Sequence, residues 1–189
     1  YKNKMLIMPV DPFGVPKHYE LQGNYAYKKG HSVLDYYMPI WKGVSNEGLP
    51  MWKAYTYKDA SGNDAYVTDY EKYISTGGDA KALTETTTSD YNKAVNEFVG
   101  KSAIPDFVGG FGFDVQIKNV NISTNFSYGL GGWGYDAVYA ELMSSGSVIG
   151  TRNWHKDIRN YWSADKHTDL PILTHNVEAV KFANSTSTR

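Results

Sequence analysis

Between Phe107 and Leu130 the chain alternates with a period of two over a length that few soluble strands reach. Phe107, Gly109, Phe111, Phe113, Val115 and Ile117 alternate with Val108, Gly110, Gly112, Asp114, Gln116 and Lys118. On the return, Val120, Ile122, Thr124, Phe126, Tyr128 and Leu130 alternate with Asn121, Ser123, Asn125, Ser127 and Gly129. A two-residue turn at Lys118-Asn119 sets Ile117 opposite Val120, Val115 opposite Ile122, Phe113 opposite Thr124 and Phe111 opposite Phe126. Both apolar sets then lie on one side of a β-hairpin.

Such a hairpin suits two environments. In a soluble sandwich its apolar face packs on a second sheet; in an outer-membrane barrel that face meets lipid and the other lines a wet lumen. Each arm is about 11 residues long, enough to cross the hydrocarbon layer at a tilt near 45°, whereas soluble strands more often run to about 5 or 6. Length favours the barrel. In that case Phe111, Phe113, Val115, Ile117, Val120, Ile122 and Phe126 face lipid, and Asp114, Gln116, Asn121, Ser123 and Asn125 face the lumen.

Composition narrows the function classes. The formal net charge is -1 and 21% of residues are charged, so no basic field recruits nucleic acid or anionic lipid. Cysteine is absent, which removes disulfides, zinc–cysteine sites and thiol catalysis. No apolar run of about 18 residues offers a transmembrane helix. Aromatic residues, 16 of them Tyr and 5 Trp, are spread through segments also rich in Gly, Asn, Ser and Thr, which suits membrane girdles and loops that stack on sugars or peptides. The chain opens at Tyr1 in mid-pattern, without initiator Met or signal peptide, and stops at Arg189 after a Ser/Thr run; the expectation is a piece of a longer protein.

Before the hairpin, Lys4–Met8 reads as the end of a strand stopped by Pro9, and Asp11–Lys17 as a turn or loop. Tyr19–Tyr27 alternates weakly as one strand. Val33–Trp41 reads as a strand with Pro39 at an edge, bulge or strand end, and Met51–Tyr57 as a returning strand. Asp59–Asp64 is a tight polar turn across which Tyr66–Tyr73 pairs back. Ser75–Asp90, polar and without a sustained period, reads as exposed loop. The helical spacing of Tyr91, Ala94, Val95 and Phe98 predicts a short helix capped by Ser89 or Asp90. After the hairpin, short helices are predicted over Tyr135–Met143 and Trp154–Trp162 with Ser144–Gly150 as linker. Two long arms with a short turn at one end and loops of about 50 residues or more at the other are an asymmetry that barrels have and sandwiches usually lack.

An ordered series of short motifs carries a resemblance. Gly30-His31-Ser32-Val33, Asp35-Tyr36-Tyr37, Gly43-Val44 and Gly48-Leu49-Pro50-Met51-Trp52 are followed by Gly100-Lys101-Ser102-Ala103-Ile104-Pro105-Asp106-Phe107 and Gly109-Gly110-Phe111. Phe126-Ser127-Tyr128, Gly131-Gly132, Tyr135-Asp136, Asn153-Trp154, Thr168-Asp169-Leu170-Pro171 and Asn184-Ser185-Thr186-Ser187-Thr188-Arg189 complete it. In this order they resemble the late barrel region of SusC/RagA-type TonB-dependent transporters of Bacteroidetes, over most of residues 30 to 189; residues 1–29 match less distinctly. The family often carries Lys-Gly where this chain has Lys118-Asn119, a change that Asn accommodates because it accepts positive φ.

The resemblance implies an all-β fold of antiparallel strands, an open curved piece of a large barrel of about 22 strands. Residues 1–189 would be a partial TonB-dependent receptor barrel domain, with 107–130 as its central hairpin and 45–106 and 131–189 mainly extracellular loops. The plug domain and the C-terminal strands would lie outside it. It further implies an outer-membrane location, a SusD-like surface lipoprotein as partner, and TonB engaged through the missing N-terminal part. The substrate is an oligosaccharide or peptide imported without covalent chemistry. No cofactor or metal is expected, since His18, His31, His155, His167 and His175 have no HExxH or paired ligand spacing, and no Walker, GxSxG or dinucleotide motif occurs. Asp157, Asp165 and Asp169 near His155 and His167 are read as polar loop neighbours rather than acid–base machinery. Trp133, Tyr135, Trp154, Tyr161 and Trp162 are the candidate contacts to ligand or lipoprotein. The alternative reading is a secreted β-sandwich that binds glycan through exposed aromatics, with the hairpin's apolar face buried in its own core.

Overall fold

The computed structural model describes residues 3–143 and 153–174, and the fold is mostly antiparallel β-sheet, with few and short helices. The strands, in chain order, are β1 (Tyr19–Gln22), β2 (Tyr25–Lys28), β3 (Asp35–Pro39), β4 (Trp41–Val44), β5 (Pro50–Lys58), β6 (Asp64–Val67), β7 (Thr84–Thr88), β8 (Asn96–Ser102), β9 (Phe107–Ile117) and β10 (Val120–Leu130). One α-helix, α1 (Tyr70–Ser75), falls between β6 and β7, and a second, α2 (Ala137–Leu142), follows β10. The strands form three open sheets. No described helix is long and apolar enough to cross a membrane, which says nothing of a barrel.

The first sheet has the order β1-β2-β3-β8. Tyr19–Tyr27 is a tight hairpin rather than one strand, because Gly23 takes φ 61° and turns the chain between β1 and β2. The apolar run Lys4–Met8 forms no strand; Met5 ties it to the turn after β2, its N–H donating to the His31 carbonyl and its carbonyl accepting from Gly30. The long run from Val33 serves two sheets. It pairs with β8 up to Pro39, then after Ile40 continues as β4 beside β5. Pro39 thus falls at a strand end, where its missing N–H costs nothing.

The second sheet is built on β5, with β4 and β6 along one edge and β7 along the other. Here two sequence expectations fail. Ser75–Asp90 is not simply loop, since Thr84–Thr88 pairs with β5 from Thr56 back to Trp52. The helix over Tyr91–Phe98 stops after a single 3-10 turn, Tyr91–Lys93, capped by the Asp90 carboxylate. The Val95 amide then donates to the Lys53 carbonyl, Asn96 to Thr68, and the chain continues as β8. Pairing with an existing sheet overrides the local helical spacing. Tyr66–Tyr73 splits likewise, pairing as β6 and then coiling as α1. Between these sheets lies the core, centred on Tyr36, Tyr37, Met38, Trp52, Ala54 and Val95.

The third sheet is the hairpin β9–β10, paired over all 11 positions in the expected register. Its turn is made differently from the expectation. Lys118, not Asn119, takes positive φ, at 53°, as the first central residue of a II′-type turn does.

Candidate functional site

The hairpin places the two predicted residue sets on opposite faces. Residues directly opposite in an antiparallel pair share a face, and the register joins Val120 to Ile117, Ile122 to Val115 and Phe126 to Phe111. All seven of the apolar set, Phe111, Phe113, Val115, Ile117, Val120, Ile122 and Phe126, are 41–60% exposed. Phe111 and Phe126 stack at 4.9 Å between centroids. On the reverse face Asn121 pairs with Gln116, Ser123 with Asp114 and Asn125 with Gly112, all exposed. Glycine on β9 makes room for its neighbours across the ladder: a β-carbon at Gly109 would collide with the Tyr128 ring, and one at Gly112 with the Asn125 amide. Tyr128 thus lies over a bare stretch of backbone and shields it.

At the open end, β8 and the segments around it brace the hairpin. The Trp133 amide donates to the Ser102 carbonyl at 2.9 Å, and the Tyr36 hydroxyl donates to the Trp133 carbonyl at 3.2 Å. Lys101 holds its ammonium 3.8 Å from the centre of the Trp133 ring, an arrangement that neutralises neither group but fixes both. Trp133 and Tyr135 are therefore presented on the first sheet's side of the hairpin mouth, both partly exposed. Trp154 and Tyr161, also partly exposed, flank the 3-10 turn Lys156–Asn160, where a longer helix was expected. The turn docks on α2, with the His155 amide donating to Leu142 and the Tyr139 hydroxyl donating to Asp157. Trp162 is buried. Its amide donates to Leu170, its ring stacks on His167, and Gly48 leaves no room for a side chain against it. The sequence places His175, Ser144–Gly150 and Asn184–Arg189 among its features, and these lie outside the described residues.

A polar cluster that sequence reading missed pins α1 to the first sheet. Glu71 is buried, 3% exposed, and its carboxylate accepts two hydrogen bonds from Lys28 Nζ at 2.8 Å and lies 2.9 Å from His18 Nε2. Beside it Asp69 caps α1 through the Lys72 amide and accepts from the Tyr37 hydroxyl at 2.6 Å and the Tyr19 hydroxyl at 2.8 Å. Burial, reinforced by those bonds to Asp69, pushes both phenols well above the ordinary tyrosine value. Only the tertiary fold brings these residues together, from positions 18 to 71. A second ionic chain, Lys42–Glu85–Lys53–Glu97, runs across the second sheet and ties it to β8 of the first. Burial opposes the charge on Lys53, but the Glu97 carboxylate at 2.7 Å and Tyr55 beside it together outweigh burial and raise the ammonium above its ordinary range. Among the described residues no three His, Asp or Glu side chains gather to hold a metal.

Between the first sheet and the segment that follows β10 at the hairpin mouth lies a cleft of about 210 Å³. The β1–β2 turn contributes Gly23 and Asn24 to it, β3 contributes Tyr37, Met38 and Pro39, and Tyr91, Asn96 and Tyr135 close it.

No protein-family model matches this chain, and no curated protein matches it either. Among solved structures, that of the RagAB peptide transporter is similar, with a TM-score of 0.54 and 21% sequence identity. The likeness covers 85% of this chain and 16% of that one. At that identity the likeness is one of fold: this chain is folded like a sixth or so of a chain in a transporter.

Proposed function

We propose that this chain is part of a TonB-dependent β-barrel transporter of the outer membrane, in which β9 and β10 cross the bilayer with the Phe111–Phe126 face on lipid and the Asp114–Asn125 face on the lumen. The observation that carries the reading is the hairpin itself. Two fully paired 11-residue strands leave the folded body at one end only, with one face apolar and exposed throughout. Covering seven half-exposed apolar side chains is worth on the order of 1 kcal/mol apiece, and lipid supplies that cover for a paired strand. The fold likeness to the RagAB peptide transporter and the ordered motifs that resemble those of SusC/RagA-type proteins point the same way. In this reading the two four-stranded sheets and the loops lie at the extracellular mouth. A SusD-like lipoprotein closes over them, TonB acts through the rest of the protein, and a peptide or oligosaccharide passes inward. A soluble sandwich would need a second sheet over the apolar face, and the described residues supply none.

Single cysteines replacing Phe113 and Ser123 in the full-length protein, reconstituted in liposomes, test this directly. Position 113 should react with a lipid-soluble maleimide and not a water-soluble one, and position 123 the reverse. Protection of both positions from both reagents overturns the reading.

A further inference from the structure

We infer that the cleft beside the hairpin mouth is a subsite for one uncharged residue of a peptide ligand. Whole ligand pockets run to about 300–1,000 Å³, so at about 210 Å³ this one admits a single side chain with its peptide group rather than an entire ligand. No ionisable carboxylate, ammonium or imidazole is among its lining side chains. A charged group entering it would lose hydration without gaining a partner, which disfavours Asp, Glu, Lys and Arg. What the lining does offer is amides and aromatic rings. Asn96 gives an Nδ2 hydrogen to the Thr68 carbonyl at 3.2 Å, a bond that does not occupy its acceptor Oδ1, and Asn24 on the exposed β1–β2 turn carries both donor and acceptor. A donor and an acceptor together match a peptide group, while Tyr91, Tyr135 and Pro39 give an apolar flank to the side chain it bears.

The position has its own logic. Tyr135 follows the end of β10 by five residues, at the opposite end of the hairpin from the Lys118 turn. The inference rests on the transporter reading for its setting: a peptide arriving from outside meets this cleft before the lumen. Binding to it does not require transport.

The test uses the full-length protein in detergent and isothermal titration with blocked peptides. N-acetyl-Ala-Gln-Ala-amide is the neutral probe, its Glu and Lys counterparts are the charged probes, and maltotriose is the sugar probe. The neutral peptide is expected to bind at least tenfold more tightly than either charged one. Asn24→Trp, an exposed turn position whose new ring fills the cleft, should weaken it at least tenfold. Tyr135→Ala should weaken it several-fold, with a circular dichroism spectrum unchanged in both variants. Equal binding of neutral and charged peptides, no binding of any probe, or wild-type affinity in Asn24→Trp overturns the assignment. Maltotriose binding that Asn24→Trp abolishes, without peptide binding, makes the cleft a sugar subsite and overturns the peptide assignment. Each of these outcomes leaves the cysteine labelling of Phe113 and Ser123 to decide the membrane reading separately.

Discussion

Glu71 illustrates how much a single buried carboxylate can organise. Its two bonds from Lys28 and its contact with His18 tie α1 to β2 and to the residue before β1. Replacing it with Gln keeps the shape and removes the charge, leaving Lys28 paired with a neutral amide. Removing one partner of a buried pair typically costs about 3–5 kcal/mol. Lys28 retains some access to water, so Glu71→Gln should cost nearer 2 kcal/mol, read from urea unfolding of the full-length protein. Tyr37 and Tyr19 add a dependence on alkali. Both hold their protons more tightly folded than unfolded, so the stability they contribute is complete below the ordinary tyrosine pKa of 10.0 and is lost as pH rises above it. Lys53, also raised, acts in the same sense. The urea midpoint should therefore hold from pH 8 to about pH 10 and fall from there towards pH 11, and Tyr37→Phe should flatten that fall while costing about 1 kcal/mol at pH 8. Lys118 is a residue in the wrong conformation for its type: an L-residue in the left-handed region pays about 1–2 kcal/mol, partly offset by the greater chain entropy of Gly. Lys118→Gly should raise the urea midpoint by the equivalent of about 0.5 kcal/mol.

At the level of elements, the hairpin makes the sharpest claim, because its two faces should respond oppositely to the same change. Phe113→Lys puts a charge mid-strand on the apolar face, where lipid exposure costs about 2–4 kcal/mol; Ser123→Lys, on the other face, should cost less than 1. Heat-modifiability on gels and urea midpoints of the two variants compare them directly, and equal effects would contradict a two-faced wall. The hairpin was also the element most legible in the sequence, register included. Its period is sustained, and a two-residue loop leaves no freedom in how the arms align. β7 was not legible, since Thr-Glu-Thr-Thr-Thr has no apolar side to betray it and becomes a strand only because β5 offers an edge. β8 was misread for the converse reason. Val95 and Phe98 happen to fall three apart, but Val95 is buried beside β5 and Phe98 is paired with Tyr37. Of the aromatic candidates, exposure could be anticipated for those near Gly-rich turns, such as Trp133 and Tyr135. Trp162 could not be told apart from them by composition; its burial depends on Gly48, 114 positions away.

Over the whole molecule, the folded body and the hairpin ask for different surroundings. The body has its own core around Trp52 and Tyr37, whereas the hairpin exposes an apolar face and, among the described residues, two unpaired edges. The isolated 189-residue chain should therefore self-associate in buffer and disperse in detergent micelles, and sedimentation velocity with and without detergent would distinguish this from a soluble monomer. The same division bears on the order in which the protein is made. β3 finds β8 only after some 60 intervening residues have been gathered, a closure that local contacts do not help. β9 finds β10 across two residues, and hairpins of that kind zip in about 1–10 μs. The hairpin is thus a ready-made tile, complete in register before the rest of the sheet exists. With both long edges open among the described residues, it can be laid against whichever neighbouring strand reaches the membrane first.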